Sequence, residues 1–291
     1  MRLAESTVSS HRQICTDIGI FDQYQARLRS KNALIGGNSA DDSQDHLLVR
    51  YLNSASRTQA ILCIQDVKCQ EMQEELLSQL DDGTVHIIDI AAGHGAGTLS
   101  VLNTVAEMRE NGALLKNALN LNIYALDFSE ISLNYYAAMV TNLTASYLSQ
   151  GIVVKFHPIL VDITSDPDVA ASIAEIKQNI GGNPRYFLIC SAISGVKEDV
   201  FRTKFSASYQ IIAHSFKDRN SVFLWVEPRT KKMWIFNFWE EFSEKLGISK
   251  VFHRAAGSRM IRQNFAWLDP HNNIPQGNQW ADFALMGLSK E

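Results

Sequence analysis

Asp89 closes the β-branched run Val85-His86-Ile87-Ile88, and glycines follow at positions 93, 95 and 97 before the apolar helical text Thr98-Leu99-Ser100-Val101-Leu102. An acid at a strand end, a glycine loop and a helix start are the parts of a nucleotide-binding site. Glycine lets the backbone take positive φ and approach a ligand closely, and the helix N-terminus presents unpaired N–H groups. The spacing narrows the ligand. A dinucleotide fingerprint needs GxGxxG, but Thr98 stands where the third glycine would be. A P-loop needs a Lys-Ser/Thr pair after its last glycine, and Thr98-Leu99 does not supply that pair. Asp89 would repel a phosphate at this place but could accept a hydrogen bond from an ammonium group. An adenosine that carries an amino acid satisfies both conditions.

The segment Ile88-Asp89-Ile90-Ala91-Ala92-Gly93-His94-Gly95 resembles the first motif of class I S-adenosylmethionine-dependent methyltransferases. The resemblance implies that the loop residues Ala91, Gly93, His94 and Gly95 lie against the methionine part of the cofactor, while Asp89 helps hold its amino group. Ala91 replaces the first glycine of the usual motif, and it fits there if its φ is negative. Leu121-Asn122-Ile123-Tyr124-Ala125-Leu126-Asp127 reads as a second strand ending in an acid, and Asp127-Phe128-Ser129 resembles the second motif. Asp127 is then the acceptor for the ribose diol, with Phe128 beside it. Asp127 comes 38 positions after Asp89, against about 20 in the dinucleotide fold, so the first helix must be long and break at Asn111-Gly112. A third run, Val153 to Val161, ends at Asp162. By resemblance Asp162 receives the adenine amino group and the Ile163 N–H meets a ring nitrogen.

These residues need a sheet to bring them together. Tyr186 to Cys190 reads as a fourth strand and Ser221 to Val226 as a fifth, ending at Glu227-Pro228. Helical patterns run from Ser129 through Ser149, from Phe205 to Phe216 and from Lys232 to Leu246, with Ser129 as an N-cap. Lys250 to Ala256 and Ala281 to Leu288 form a final antiparallel pair, and Asp269 to Asn273 is a turn. Strands alternating with helices predict an α/β protein with a mainly parallel sheet covered on both faces. The resemblance implies a Rossmann-like class I methyltransferase fold with a seven-stranded sheet of order 3-2-1-4-5-7-6.

Residues 1–82 precede this core as an N-terminal helical extension, leaving residues 83–291 for the methyltransferase domain. Ile20 to Arg29, Gln44 to Leu52 and Ser56 to Leu80 each suggest a helix, with a polar glycine-rich loop from Gly36 to Ser43 between the first two. The extension is either a supporting cap or a lid that excludes water from a reactive sulfonium.

Composition bounds the function. Apolar residues make up 46% of the 291, which argues against disorder. No apolar run approaches the roughly 18 residues of a membrane span and the first residues carry no secretory segment, so a cytoplasmic protein is expected. The four cysteines lack zinc-ligand spacing, which predicts free thiols and no metal. A net charge of −4 lacks the basic footprint of nucleic-acid binding, although Arg229-Thr230-Lys231-Lys232 and Arg254 to Arg262 could form a local patch.

The resulting expectation is an S-adenosylmethionine-dependent methyltransferase acting on a small-molecule or protein acceptor and releasing S-adenosylhomocysteine. The alternative is a noncatalytic cofactor-binding or assembly module with the same fold. Methyl transfer proceeds through placement, so the sequence need not display a catalytic group. Glu227 is a candidate for orienting or deprotonating the acceptor. Ser191, at the fourth-strand exit Cys190-Ser191-Ala192-Ile193-Ser194-Gly195, completes the candidate cofactor residues. That exit lacks the Asn/Asp-Pro-Pro-aromatic text of methyltransferases acting on planar amines. His94 matters through its backbone, and the five tryptophans belong to packing.

Overall fold

The computed structural model describes residues 1–28, 39–182, 184–191, 193, 195–217, 220–228, 233–245 and 261–288. The amino-terminal region holds α1 (Glu5–Asp17), a 3₁₀ turn (Phe21–Gln23), α2 (Tyr24–Leu28), α3 (Ala40–Cys63) and α4 (Val67–Gln79). The alternating part follows as β1 (Gly83–Ile90), α5 (Ala96–Glu110), β2 (Leu119–Asp127), α6 (Glu130–Ser149), β3 (Ile152–Leu160), α7 (Asp166–Gln178) and β4 (Arg185–Ser191). After β4 come a single turn α8 (Glu198–Val200), a π-helical turn (Phe201–Phe205), α9 (Ser206–Ser215), β5 (Ser221–Pro228), α10 (Met233–Lys245), β6 (Ile261–Asp269) and β7 (Ile274–Gly287).

The strands form one sheet of order β3-β2-β1-β4-β5-β7-β6, the order implied by the resemblance. The first five strands run parallel, and β7 lies antiparallel to both β5 and β6. The last six residues of β1 and five successive residues of β4 are buried, as parallel strands covered on both faces must be. Reversal of strand order between β1 and β4 opens a crevice at the carboxyl ends of the strands, where ligands bind in open α/β sheets.

Two details of the sequence reading change. The antiparallel pair is β6 with β7, joined by a turn at residues 270–273, whereas the strand expected at Lys250 to Ala256 lies outside the described residues. A hairpin between adjacent strands closes a short loop and so loses little chain entropy. The helices expected at Gln44 to Leu52 and Ser56 to Leu80 are instead divided at residues 64–66. The 24-residue α3 runs through the polar Asn53-Ser54-Ala55-Ser56, because Ser56 Oγ donates to the Asn53 carbonyl and Ala55 and Ser56 are fully buried. α1 was not anticipated.

The amino-terminal helices are a layer of the fold. Apolar residues from both sides of Asp82-Gly83, among them Tyr51, Ala55, Leu99 and Leu102, join one core cluster. α5 is consequently buried around nearly its whole circumference, from Gly97 to Ala106. Its polar outward residues find partners there: Ser100 Oγ donates to the Ala55 carbonyl (2.7 Å), and Asn103 bridges Thr7 (2.9 Å) and the Tyr147 hydroxyl (2.8 Å). A second cluster packs α7, α9 and α10 against the other face and includes Trp225 and Trp234. Cys15, Cys63, Cys69 and Cys190 form no disulfide among the described residues, and Cys63 alone of them is exposed. No described helix is long and apolar enough to cross a membrane.

Candidate functional site

The β1–α5 loop turns through three consecutive left-handed positions at alternate residues: Ala91 (φ 53°), Gly93 (φ 53°) and Gly95 (φ 73°). Each glycine serves a different purpose. A Cβ at Gly93 would project into open space, with nothing within 4 Å. One at Gly95 would collide with the Tyr136 ring at 2.2 Å, and one at Gly97 would press on Ser191 Cβ at 3.0 Å. Gly93 therefore faces the crevice, while Gly95 and Gly97 allow α6 and β4 to close on the loop. Ala91 corrects an expectation: its φ is positive, because the turn must reverse immediately after β1 whichever residue stands there. A Cβ residue in that region costs roughly 1–2 kcal/mol.

Two acids brace the loop. Asp89 Oδ2 accepts from Thr98 Oγ1 (2.7 Å) and from the Tyr136 hydroxyl (3.1 Å), joining β1 to α5 and α6. Burial pushes the Asp89 carboxyl up to about 7, with the nearby Asp127 charge adding and the two hydrogen bonds opposing. Asp127 accepts from Gly93 N–H at Oδ2 (2.8 Å) and from Ser129 N–H at Oδ1 (2.9 Å). Burial raises its pKa as well, against these backbone hydrogen bonds. The Asp127 carbonyl receives Val161 N–H (2.9 Å), tying the β3 exit to the same point. Ser129 caps α6 by accepting from Ser132 N–H, as expected.

The remaining candidates divide. Phe128 is exposed beside Asp127. Asp162 is exposed, and its Oδ1 accepts from both Thr164 N–H (2.8 Å) and Thr164 Oγ1 (2.7 Å), so it also shapes the turn leading to α7; Ile163 is buried. Ser191 packs against Gly97 at the end of β4. Glu227 is fully buried, and its Oε1 accepts from Ile193 N–H (2.9 Å) and Trp225 Nε1 (2.8 Å), fixing the β4 exit. Asp89, Ala91, Gly93, His94, Gly95, Asp127, Phe128, Asp162, Ile163, Ser191 and Glu227 thus all sit at or just beyond the carboxyl ends of five neighbouring strands. The basic stretch Arg229 to Lys232 lies outside the described residues.

Several site residues had no linear signal. The His94 ring stacks between His46 of α3 (centroids 5.7 Å apart) and Tyr135 of α6 (6.1 Å), and Gln44 donates to the Tyr135 hydroxyl (3.2 Å). Burial, reinforced by His46 and His11, lowers the His94 pKa to about 3, so the ring is neutral, and its buried Nε2 has no hydrogen-bond partner among the described residues. Thr98, Tyr136, Tyr135 and His46 are 9 to 48 positions from the residues they hold, and no motif spacing joins them.

The residues suit an adenosine bearing an amino acid. Gly93 leaves room on the crevice side, Asp127 offers carboxylate lone pairs beyond its two backbone bonds, and Asp89 is a buried acid that a neighbouring cation would ionise. No family model matches the sequence, and no curated protein matches it. Among solved structures, the chain is similar to a precorrin-6Y C5,15-methyltransferase from Geobacter metallireducens, at 15% identity over 75% of this chain and 87% of that one, with a TM-score of 0.38. It is also similar to a protein assigned as an S-adenosyl-L-methionine-dependent methyltransferase from Methanococcus maripaludis (12% identity, 90% and 97% covered, TM-score 0.38). A third is a protein assigned as a class I S-adenosylmethionine-dependent methyltransferase from Listeria monocytogenes (12% identity, 97% and 87% covered, TM-score 0.38). At such identities and TM-scores these likenesses carry no functional argument, which rests on the strand order and loop geometry of the chain itself.

Proposed function

We propose that this chain is an S-adenosylmethionine-dependent methyltransferase that acts on a small-molecule or protein acceptor. The observation that carries the reading is the junction of Gly93 N–H with the Asp127 carboxylate at the tips of adjacent parallel strands, beside open space at Gly93. In this reading Asp127 accepts from the ribose hydroxyls and Asp162 with Ile163 receives the adenine edge beside Phe128. Asp89 holds the ammonium group, and the backbone from Ala91 to Gly95 lines the methionine chain. When bound, S-adenosylmethionine supplies an electrophilic methyl carbon. The protein supplies alignment, bringing the acceptor nucleophile to about 3–3.5 Å from it. α3 covers the His94 side of the loop and helps exclude water. Glu227 sets the β4 exit through Ile193 N–H, and for a protonated nucleophile it is the candidate base.

Calorimetry of the folded protein with S-adenosylhomocysteine tests the binding premise, and absence of binding refutes the reading. Labelled-methyl transfer into fractionated cell extract tests catalysis. Binding without transfer to protein, nucleic acid or small molecules leaves the noncatalytic module in its place.

A further inference from the structure

α3 carries a polar stripe that starts at the glycine loop, where His46 stacks on His94. At about 100° per residue, His46, Arg50, Asn53 and Arg57 fall within roughly 60° of the helix circumference. The stripe begins at His46, stacked on His94 of the glycine loop, and passes toward β5, which α3 also contacts along with β6 and β7. Leu47, Leu48, Tyr51, Leu52 and Ala55 anchor other sides of the helix in the core.

The stripe is incompletely satisfied. Arg57 Nε and Asn53 Oδ1 are both buried without a hydrogen-bond partner, and neither Arg50 nor Arg57 makes an ion pair among the described residues. Arg50 and Arg57 are near enough to repel one another, and Glu227 is the acid whose field favours the charged form of Arg57. Burial lowers the Arg57 pKa to about 10, which leaves it charged at neutral pH. A half-buried guanidinium with an unmatched donor, beside a second cation, is an arrangement that an oxyanion completes, because the planar fork matches carboxylate and phosphate.

We propose that Arg57, assisted by Arg50, binds an oxyanion group carried by the methyl acceptor at the β4–β5 side of the crevice. The proposal rests on the methyltransferase reading and identifies the class of acceptor. Placement favours acceptor over cofactor: β5 is separated from β2, which carries Asp127, by three strand spacings, about 14 Å. α3, which carries Arg57, packs on β5, the strand whose Glu227 holds the exit of β4.

The test is calorimetry of the full chain saturated with S-adenosylhomocysteine, titrated separately with malonate and with inorganic phosphate at millimolar concentration. Binding of malonate marks a carboxylate acceptor and binding of phosphate a phosphorylated one. Arg57→Met should weaken the bound anion at least about tenfold, Arg57→Lys less, and Arg202→Met, whose guanidinium is already paired with Glu198 and Glu241, not at all. S-adenosylhomocysteine affinity should stay unchanged in all three variants. Failure of the saturated wild-type protein to bind either anion, or equal binding by Arg57→Met, overturns the proposal alone. Loss of S-adenosylhomocysteine affinity in both Arg57 variants assigns Arg57 to the cofactor and also overturns it. If the wild-type protein does not bind S-adenosylhomocysteine, the methyltransferase reading falls and takes the inference with it.

Discussion

The two sides of the crevice are built differently. At the tips of β1 and β2, the polar groups are drawn together by the protein itself: Asp89 holds Thr98 and Tyr136, and Asp127 holds the Gly93 and Ser129 N–H groups. On α3, which packs on β5, Asn53 Oδ1 and Arg57 Nε have no partner among the described residues. A braced loop is preorganised, so little ordering is needed when a ligand arrives. Buried groups without partners are costly in the free protein and are satisfied only by something that enters. The acids on one side are therefore braced before binding, with His94 Nε2 the group left over there, whereas the other side is completed by its ligand.

The most damaging way to break the braced side is Gly95→Ala. It forces a Cβ into the Tyr136 ring and places alanine at positive φ, so a loss of about 4 kcal/mol is expected from overpacking and strain together. Gly112→Ala, also at positive φ but with nothing within 4 Å, should cost only about 1 kcal/mol. Denaturant unfolding measures both, and equal losses would show that the Tyr136 contact does not matter.

Next in size is Asp127→Ala, which removes the acceptor of two backbone N–H groups and the proposed ribose acceptor. S-adenosylhomocysteine affinity should fall by about 2–3 kcal/mol in calorimetry. Unchanged affinity would refute the assignment of Asp127.

A smaller effect comes from pH. The Asp89 pKa in the free protein is about 7, above its ordinary 3.8, and an ammonium ligand favours the ionised form. Affinity for S-adenosylhomocysteine should therefore rise roughly tenfold from pH 6 to pH 8, about 1.4 kcal/mol, and Asp89→Asn should flatten that profile. For stability the sign is opposite. A carboxyl with a raised folded pKa favours the folded state most at low pH, and this contribution is lost as pH rises from about 4 through about 7. Unfolding of wild type and Asp89→Asn across that window measures it.

The smallest effect sharpens the comparison. Ala91→Gly should stabilise the protein by about 0.5–1 kcal/mol, since relief of the left-handed strain exceeds the added chain entropy. A destabilised variant would show that the Ala91 methyl makes a contact worth more than its strain.

The sequence was most informative where the structure is local. The strand-loop-helix at Asp89 to Leu102, the Ser129 cap, the turn after Asp269 and the succession of parallel strands all follow from patterns a few residues long. Reading failed where distant parts compete. The polar text around Asn53 to Ser56 suggested a break, yet burial against α5 keeps α3 continuous through it. An alanine at position 91 was taken to fit the motif on condition of a negative φ, and the turn instead holds it at positive φ.

By itself, then, the sequence determined the succession of the five parallel strands, the glycine loop and the acids at the strand ends, since each depends on near neighbours. The tertiary structure decided what those acids touch, placed Tyr136 against Gly95 and set His46 on His94. It also packed α3 against β5, β6 and β7. Those contacts join residues dozens of positions apart, and they are selected by the packing of a sheet between two helical layers, which no local pattern encodes.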